Sequence, residues 1–349
     1  MAPFVPASGR LTVAQLGLVI NVNDPYSVAV GQYYIQHRGL HERQVLRVSL
    51  PVRPALSPEE LNTLRQQIAD HFSPRVQALA LAWRQPWAVG CNSITSAVSL
   101  GYQAAQCQNT CRPGLVSPYF NDATTMPFST LGMRPSMLLA ASTVERARAL
   151  VDRGVQADGA MLRPGPMARA VFAASGDALR DVRVGLFPPS GQVPAARLEI
   201  RRELPEAFRR PRPEREAVLI YQTGAVRVPD LASFHFVPGA VADHLTSFGG
   251  VLEGNTGQMP ITAWVDAGAT ASHGTVSEPC NHTQKFPHPQ LLLLRMLEGA
   301  TLLEVYWKSL AWPTQSLLVG EPLAAPYAQD VARNRVSASR AASTGASGR

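Results

Sequence analysis

The sequence has few charges for its length: only 16% of its 349 residues are charged, and only Lys285 and Lys308 are lysines. The 46% apolar content is typical of a globular protein and argues against intrinsic disorder. No uncharged apolar run reaches the roughly 18–20 residues that a membrane-spanning helix needs, so a membrane span is not expected. Neither a GxxxxGKS/T phosphate loop nor a G-x-G-x-x-G turn after a strand is present, so we expect no nucleotide cofactor, and indeed no cofactor of any kind.

Arginine supplies 30 of the 32 positive charges, and the formal net charge is +7. A surplus of arginine can indicate a surface for nucleic acid or another anionic polymer, which would bind in a strongly salt-dependent manner. Between positions 197 and 216, however, seven arginines are interleaved with five glutamates. Such mixing is typical of a solvated surface segment. We therefore expect no nucleic-acid partner.

The N-terminal part of the chain alternates between two kinds of pattern. Short apolar, β-branched runs at residues 16–22, 44–50 and 76–83 predict strands. Residues 28–37 predict a helix between the first two strands, and Ser57-Pro58-Glu59-Glu60 is a strong start for a second helix, running to about residue 72. A β-α-β-α-β order predicts a parallel sheet with helices on both faces.

The rest of the chain continues this alternation and contains no internal sequence repeat. We expect one α/β domain over residues 1–328, with a long irregular insert near residues 107–135 and a disordered basic tail at residues 329–349. Further strands are predicted at residues 136–141, 217–223, 269–276 and 317–319, and helices at residues 93–106, 143–155, 177–182, 240–248, 258–265, 289–298 and 301–310.

Four cysteines, Cys91, Cys107, Cys111 and Cys280, bear on the compartment. A disulfide between Cys107 and Cys111 would close a small loop in an oxidising compartment, and free thiols are the alternative. A zinc site would need two further ligands, and no second short-spaced pair lies nearby, so we expect no metal. The first residues lack a charged segment followed by an apolar run, which predicts a cytoplasmic protein unless a longer precursor directs it to the periplasm or beyond.

Long sequence motifs extend over most of the chain. They read NVNDPYSVAVGQYY (21–34), CNSITSA (91–97), PGAVADHLTSFGG (238–250), GATASHGTVSEPCN (268–281), KFPHP (285–289), EVYWKSLAWP (304–313) and GEPLAAPY (320–327). From about residue 12 to 327, the chain resembles an uncharacterised bacterial family of species that encode exosortase and PEP-CTERM proteins, the cell-envelope sorting system. The resemblance implies a role in envelope sorting or exopolysaccharide production and an unidentified protein partner of that system. It implies no particular reaction.

The order of the predicted elements and the closing G-E-P-L pattern also resemble gingipain-type cysteine peptidases. This second resemblance implies a caspase-like fold: an α/β protein built as a three-layer α/β/α sandwich with a mainly parallel sheet. Those enzymes carry His-Gly after one strand and a catalytic Cys after the next. Here Tyr221-Gln222-Thr223-Gly224 stands where His-Gly is expected, and no Cys occurs near residues 236–239. The peptidase dyad therefore does not carry over.

Cys280 is one candidate nucleophile, since it lies in a polar loop with Glu278, and His273 and His282 are close in sequence. A thiol nucleophile needs a neighbouring base in a partly open site, and either histidine is a candidate for that base. The alternative is a loop cysteine that is packed or disulfide-bonded. Nearness in sequence does not establish approach in space.

Asp243, His244 and Ser247 form a second candidate group, ahead of the glycine pair at residues 249–250. A catalytic triad would need Ser247 within hydrogen-bond reach of His244, oriented by an acid. On the helix predicted here, Asp243 and Ser247 share a face while His244 points about 100° away, which favours a helix cap and a core histidine instead. Asp243 and Asp266 also offer two carboxylates for a cation, without a defined spacing.

Asn92, Ser93 and Glu278 are candidate ligand-binding residues. Asn92 and Ser93 follow a predicted strand, in the crevice region where open α/β sheets bind ligands. Ser93 is also a suitable N-cap for the helix that follows.

Two functions remain open at this point. One is an accessory protein of the envelope-sorting or exopolysaccharide system that lacks the peptidase dyad. The other is a hydrolase, for example a peptidase, with a site near Asp243, His244, Ser247 and Cys280.

Overall fold

The computed structural model describes residues 9–210 and 216–329. The predicted basic tail lies outside these residues, except for residue 329. The described strands are β1 (Leu16–Asn21), β2 (Val45–Val48), β3 (Ala55–Leu56), β4 (Ala78–Leu81), β5 (Ala88–Val89), β6 (Asn92–Ser93), β7 (Ser136–Leu138), β8 (Ala168–Ala173), β9 (Gly191–Val193), β10 (Leu198–Glu203), β11 (Ala217–Gly224), β12 (His235–Leu245), β13 (Ala271–Thr275) and β14 (Ser316–Gly320).

The described helices include several that the sequence predicts from their caps. Asp24, Ser57, Thr143 and Thr301 each accept a hydrogen bond from the first turn of the helix that follows. The helices are α1 (Pro25–Arg38), α2 (Pro58–His71), α3 (Ile94–Leu100), α4 (Ala104–Gln108), α5 (Pro127–Leu131), α6 (Val144–Ala157), α7 (Pro205–Phe208), α8 (Thr262–Asp266), α9 (Pro289–Leu297) and α10 (Leu302–Ser309).

Eleven strands form one sheet in the order β2-β1-β4-β7-β14-β13-β12-β11-β8-β10-β9, and β3, β5 and β6 form a small second sheet. Neighbouring strands of the large sheet are parallel except for the pairs β13–β14 and β9–β10. The large sheet therefore contains two parallel blocks that run in opposite directions and meet between β13 and β14. Read from the outermost parallel strand inward, one block begins with the order β2-β1-β4-β7 and the other with β10-β8-β11-β12. In both, the second parallel strand along the chain comes first, followed by the first, third and fourth, although the sequence has no internal repeat.

Helices cover both faces of this sheet. On β1, a Cβ at Gly31 of α1 would meet Ile20, whereas Gly17 faces Phe72 at the end of α2. Residues 17 and 20 point to opposite faces of a strand, so α1 and α2 lie on opposite sides. Helix α6 packs against α1, and α3 packs against α2. The α/β class and the three-layer α/β/α sandwich with a mainly parallel sheet are confirmed.

The main error of the sequence-based prediction concerns residues 240–248, which were expected to be helical. They belong largely to β12, which lies between β11 and β13 and is buried on both faces from residue 239 to 245. A strand buried on both faces has no alternating polar pattern, so its apolar run is not distinguishable from a short buried helix. Strand β8 was also missed, and the helix expected at residues 93–106 breaks at Gly101, where φ is 86°.

A buried carboxylate connects the first helix to the end of the last strand. Glu321, fully buried just after β14, accepts hydrogen bonds from Tyr34 at 2.5 Å and from Nε and Nη2 of Arg38 at 3.0 and 2.5 Å. Nη1 of Arg38 in turn donates to Asp158 at the end of α6, at 2.6 Å. A buried charge is tolerated only when it is paired and hydrogen-bonded in this way.

Replacing Gly154 of α6 by alanine tests how tightly this carboxylate is held. A Cβ at Gly154 would lie 2.3 Å from Cγ and 2.6 Å from Oε2 of Glu321. Alanine normally stabilises a helix relative to glycine by up to about 1 kcal/mol, yet overpacking makes us expect Gly154→Ala to lower the free energy of unfolding in urea by about 1–3 kcal/mol. Gly191→Ala is the control, because a Cβ there meets no atom within 4 Å. Equal stability of the Gly154→Ala variant and the wild type would contradict this packing.

Candidate functional site

Most of the candidate residues lie at one edge of the sheet, around the carboxyl ends of β12 and β13. Asp243 and His244 lie near the carboxyl end of β12, and His273 is in the middle of β13. Ser247 follows β12, and the Thr275 hydroxyl at the end of β13 donates to its carbonyl oxygen at 2.9 Å. The fold thus places these four candidates in or directly after the neighbouring strands β12 and β13.

Asp243 is held inside the protein by an ion pair and an amide. Its Oδ1 lies 2.7 Å from Nη2 of Arg183, and its Oδ2 accepts a hydrogen bond from Gln222 at 2.7 Å. Both charged side chains are at most 1% exposed. Burial raises the pKa of Asp243, whereas Arg183 and Gln222 favour its ionised form. Asp243 therefore fixes the 3-10 segment that carries Arg183 and is not exposed to a substrate.

His244 points to the other face of the sheet. Its Nδ1 accepts a hydrogen bond from the indole N–H of Trp264 at 3.0 Å, and its Nε2 is 3.0 Å from the carbonyl oxygen of Met259. Because an indole can only donate, the proton of the ring is on Nε2 and is given to Met259. Burial lowers the pKa of His244 to about 4. His244 is an uncharged core histidine with both nitrogens engaged.

The catalytic triad considered for this segment is not formed. Successive side chains of a strand point to opposite faces, so Asp243 and His244 are separated by the sheet, and the helical geometry expected for them is wrong. Ser247 lies beyond the strand, and the hydrogen bonds of His244 go to Trp264 and Met259.

His273 is fully buried, and neither of its ring nitrogens has a hydrogen-bond partner among the described residues. Its ring stacks on Tyr306 of α10, with centroids 6.5 Å apart, and meets the edge of Phe286. Burial, with the nearby charge of Arg183, lowers the pKa of His273 well below its ordinary value. The imidazole is therefore neutral and shielded from solvent.

The cysteines form two disulfides, Cys91–Cys107 and Cys111–Cys280, so the Cys107–Cys111 pair considered from the sequence is not formed. Cys280 has a left-handed backbone, with φ of 56°, and its N–H donates to the Glu278 carboxylate at 2.8 Å. While the bond to Cys111 is intact, the sulfur of Cys280 is not a nucleophile.

Asn92 lies beside the Cys91–Cys107 disulfide, Glu278 lies beside Cys280, and Ser93 follows Asn92 in the chain. Ser93 is the N-cap of α3: its hydroxyl accepts from the Ser96 N–H at 3.0 Å and donates to the Ser316 carbonyl at 2.6 Å. Asn92 accepts a hydrogen bond from the Gln103 N–H at 2.8 Å. The polar groups of these residues bind other parts of the protein.

Arg183, Gln222 and Trp264 contact the candidate residues and were missed from the sequence. Arg183 lies in a stretch, LRDVRVG, that reads like any arginine-containing surface segment, so nothing in it signals burial. Asp266, considered with Asp243 for a cation, accepts a hydrogen bond from the Ser142 N–H. In residues 9–210 and 216–329, no three His, Cys, Asp or Glu side chains are grouped to hold a metal ion.

Within residues 9–210 and 216–329, no helix has both the length and the apolar character needed to cross a bilayer.

Comparisons with known proteins found no match: no family model fits the chain, and neither the curated proteins nor the solved structures yielded a similar protein. The relationships to the exosortase-associated family and to gingipain-type peptidases therefore stay predictions from the sequence motifs.

The pH dependence of stability tests whether His244 is a neutral core group. The pKa of His244 is about 4 in the folded protein and about 6.5 in the unfolded chain. Between these values the unfolded chain binds a proton that the folded protein does not, so stability falls as the pH drops from 6.5 to 4. We expect His244→Gln to reduce this loss by up to about 3 kcal/mol, measured by urea unfolding across that range.

His235→Gln is the control, because His235 is exposed at the start of β12. His273 contributes in the same direction in all three proteins, so some acid sensitivity persists. An unchanged slope in His244→Gln would show that His244 is not the buried neutral group.

Proposed function

We propose that the protein is a non-catalytic accessory factor of the exosortase/PEP-CTERM envelope-sorting or exopolysaccharide system, acting through a protein partner. One observation carries the non-catalytic part: the histidines and the cysteine of the candidate site are either bonded to other groups or buried away from solvent. Both nitrogens of His244 are hydrogen-bonded, His273 is buried, and the sulfur of Cys280 is bonded to Cys111. The motif resemblance supplies the biological system.

The ends of β11 and β12 also support the loss of a peptidase dyad. The gingipain-type layout places His-Gly at the end of the strand that we equate with β11, and Gln222 to Gly224 form that end here. The next strand extends to Leu245, beyond residues 236–239, and is followed by Thr246 and Ser247. Thr246 donates to Gln258 at 2.7 Å. Neither strand end provides the histidine–cysteine pair.

The two disulfides support a location in an oxidising compartment, as the envelope assignment requires. Disulfides persist in the periplasm and outside the cell and are rare in the cytosol. They join the insert to the body twice, at Cys107 and at Cys111.

A fluorophosphonate probe distinguishes this proposal from the hydrolase alternative. We expect the wild-type protein with intact disulfides to be labelled no more than Ser247→Ala, because the hydrogen bonds of His244 are made to Trp264 and Met259 and do not activate Ser247. Intact-protein mass spectrometry gives the stoichiometry. Stoichiometric labelling that disappears in Ser247→Ala would establish a serine nucleophile and contradict the proposal.

Affinity capture tests the partner. The tagged full chain, recovered from the native host's envelope fraction under non-reducing conditions, should enrich proteins of the sorting or exopolysaccharide machinery over a tag-only control. Absence of such enrichment, with both disulfides verified as intact, would contradict the accessory role.

A further inference from the structure

A cleft of about 470 Å³ lies between α2, α3 and the segment around α5. Its apolar floor includes Ile68, Leu79 and Val98. This volume is within the range of small-molecule sites, roughly 300–1,000 Å³. The last turn of α3 lines the cleft with Val98 and Ser99, and none of the candidate residues discussed above is part of its lining.

Arg134 forms one wall of the cleft and is only 8% exposed. Its Nε donates to the carbonyl of Val76, and its Nη2 to the carbonyls of Phe72 and Ser73. The guanidinium lies 3.4 Å from the centroid of the Phe128 ring, which fixes its plane. Burial lowers the pKa of Arg134 to about 10. Within the described residues, no carboxylate forms an ion pair with Arg134.

Arg65 of α2 lines the same cleft from the exposed side. Its Nε donates to the carbonyl of Val98 at 3.3 Å, and it too has no acidic partner in the described part of the chain. No Asp or Glu is among the lining residues, and the carboxylate of nearby Asp70 accepts a hydrogen bond from Gln66. The lining therefore contains two guanidinium groups and no carboxylate.

Backbone carbonyls accept hydrogen bonds from only some of the N–H groups of Arg134. The three carbonyls between α2 and β4 accept from Nε and Nη2 of Arg134, while its Nη1 has no acceptor among the described residues. A planar guanidinium with free N–H groups recognises an oxyanion by paired hydrogen bonds. A bound anion would also supply the counter-charge that a buried cation otherwise lacks.

We propose that the cleft binds a sugar-sized polyhydroxylated molecule carrying one oxyanion, either a carboxylate or a phosphate, between Arg65 and Arg134. The side-chain amides of Asn62 and Gln66 also line the cleft and offer hydrogen bonds to hydroxyl groups. This assignment is independent of the accessory role, because it depends only on the cleft and its two unpaired cations.

Calorimetric titration of the full chain at low ionic strength tests the site, with glucuronate, glucose 6-phosphate and uncharged glucose as probes. We expect saturable binding of one anion per chain, with glucose at least tenfold weaker. Arg65→Gln should weaken anion binding about tenfold or more, because a charge-assisted contact is lost. Arg65 is exposed, so the variant should fold, which circular dichroism verifies.

Arg43→Gln is the matched control, since Arg43 is exposed and outside the cleft and the substitution changes the net charge equally. Asn62→Ala is a second test, expected to weaken binding without altering charge. Tighter binding of glucuronate assigns a carboxylate, and tighter binding of glucose 6-phosphate assigns a phosphate. Anions that bind no better than glucose, or equal affinities of Arg65→Gln and Arg43→Gln, would overturn the proposal.

Discussion

The buried carboxylate of Glu321 is the contact on which the large sheet depends. It lies directly after β14, the strand that pairs with β7 of the first block and β13 of the second. Its bonds to Tyr34 and Arg38 reach back 287 and 283 residues, to the first helix. An unpaired charge at this depth would be strongly destabilising. For this carboxylate to be paired, α1 and β14 must therefore be placed correctly at the same time. The same holds for α6, because its Gly154 packs against Glu321.

The antiparallel join at β13–β14 also determines which surfaces come together. It places the carboxyl ends of the second block beside the amino ends of the first, so Thr275 is opposite Ser316, and Ser316 accepts from Ser93 at the start of α3. The usual rule places ligands at the carboxyl ends of parallel strands. In this sheet one edge combines the carboxyl ends of one block with the amino ends of the other, and the arginine cleft lies at the amino end of β4 and β7.

Sequence reasoning succeeded where local chemistry decides the structure. Ser57 caps α2 with Glu60 in a reciprocal pair, and such a pattern is visible within four residues. It failed where the neighbours decide: β12 is a strand because it lies between two others, and its Ala-Val-Ala run does not distinguish strand from helix. The cysteine pairs failed for the same reason, since Cys111 and Cys280 are 169 positions apart. The burial of the candidate residues and the pairing of Asp243 with Arg183 depend on the tertiary fold, so the sequence does not reveal them.

Asp243 and Arg183 illustrate why polar residues at strand ends need not be catalytic. Arg183 pairs with Asp243 and also donates to the carbonyls of Thr223, at the end of β11, and Pro287, ahead of α9. It thus joins the segment ahead of α9 to the paired strands β11 and β12. A substrate that displaced these contacts would leave a buried cation unpaired, at a cost of about 3–5 kcal/mol. Asp243, a catalytic candidate in the sequence, therefore forms an ion pair that makes this edge resistant to opening, whereas Arg65 and Arg134 of the cleft would gain a partner from an anionic ligand.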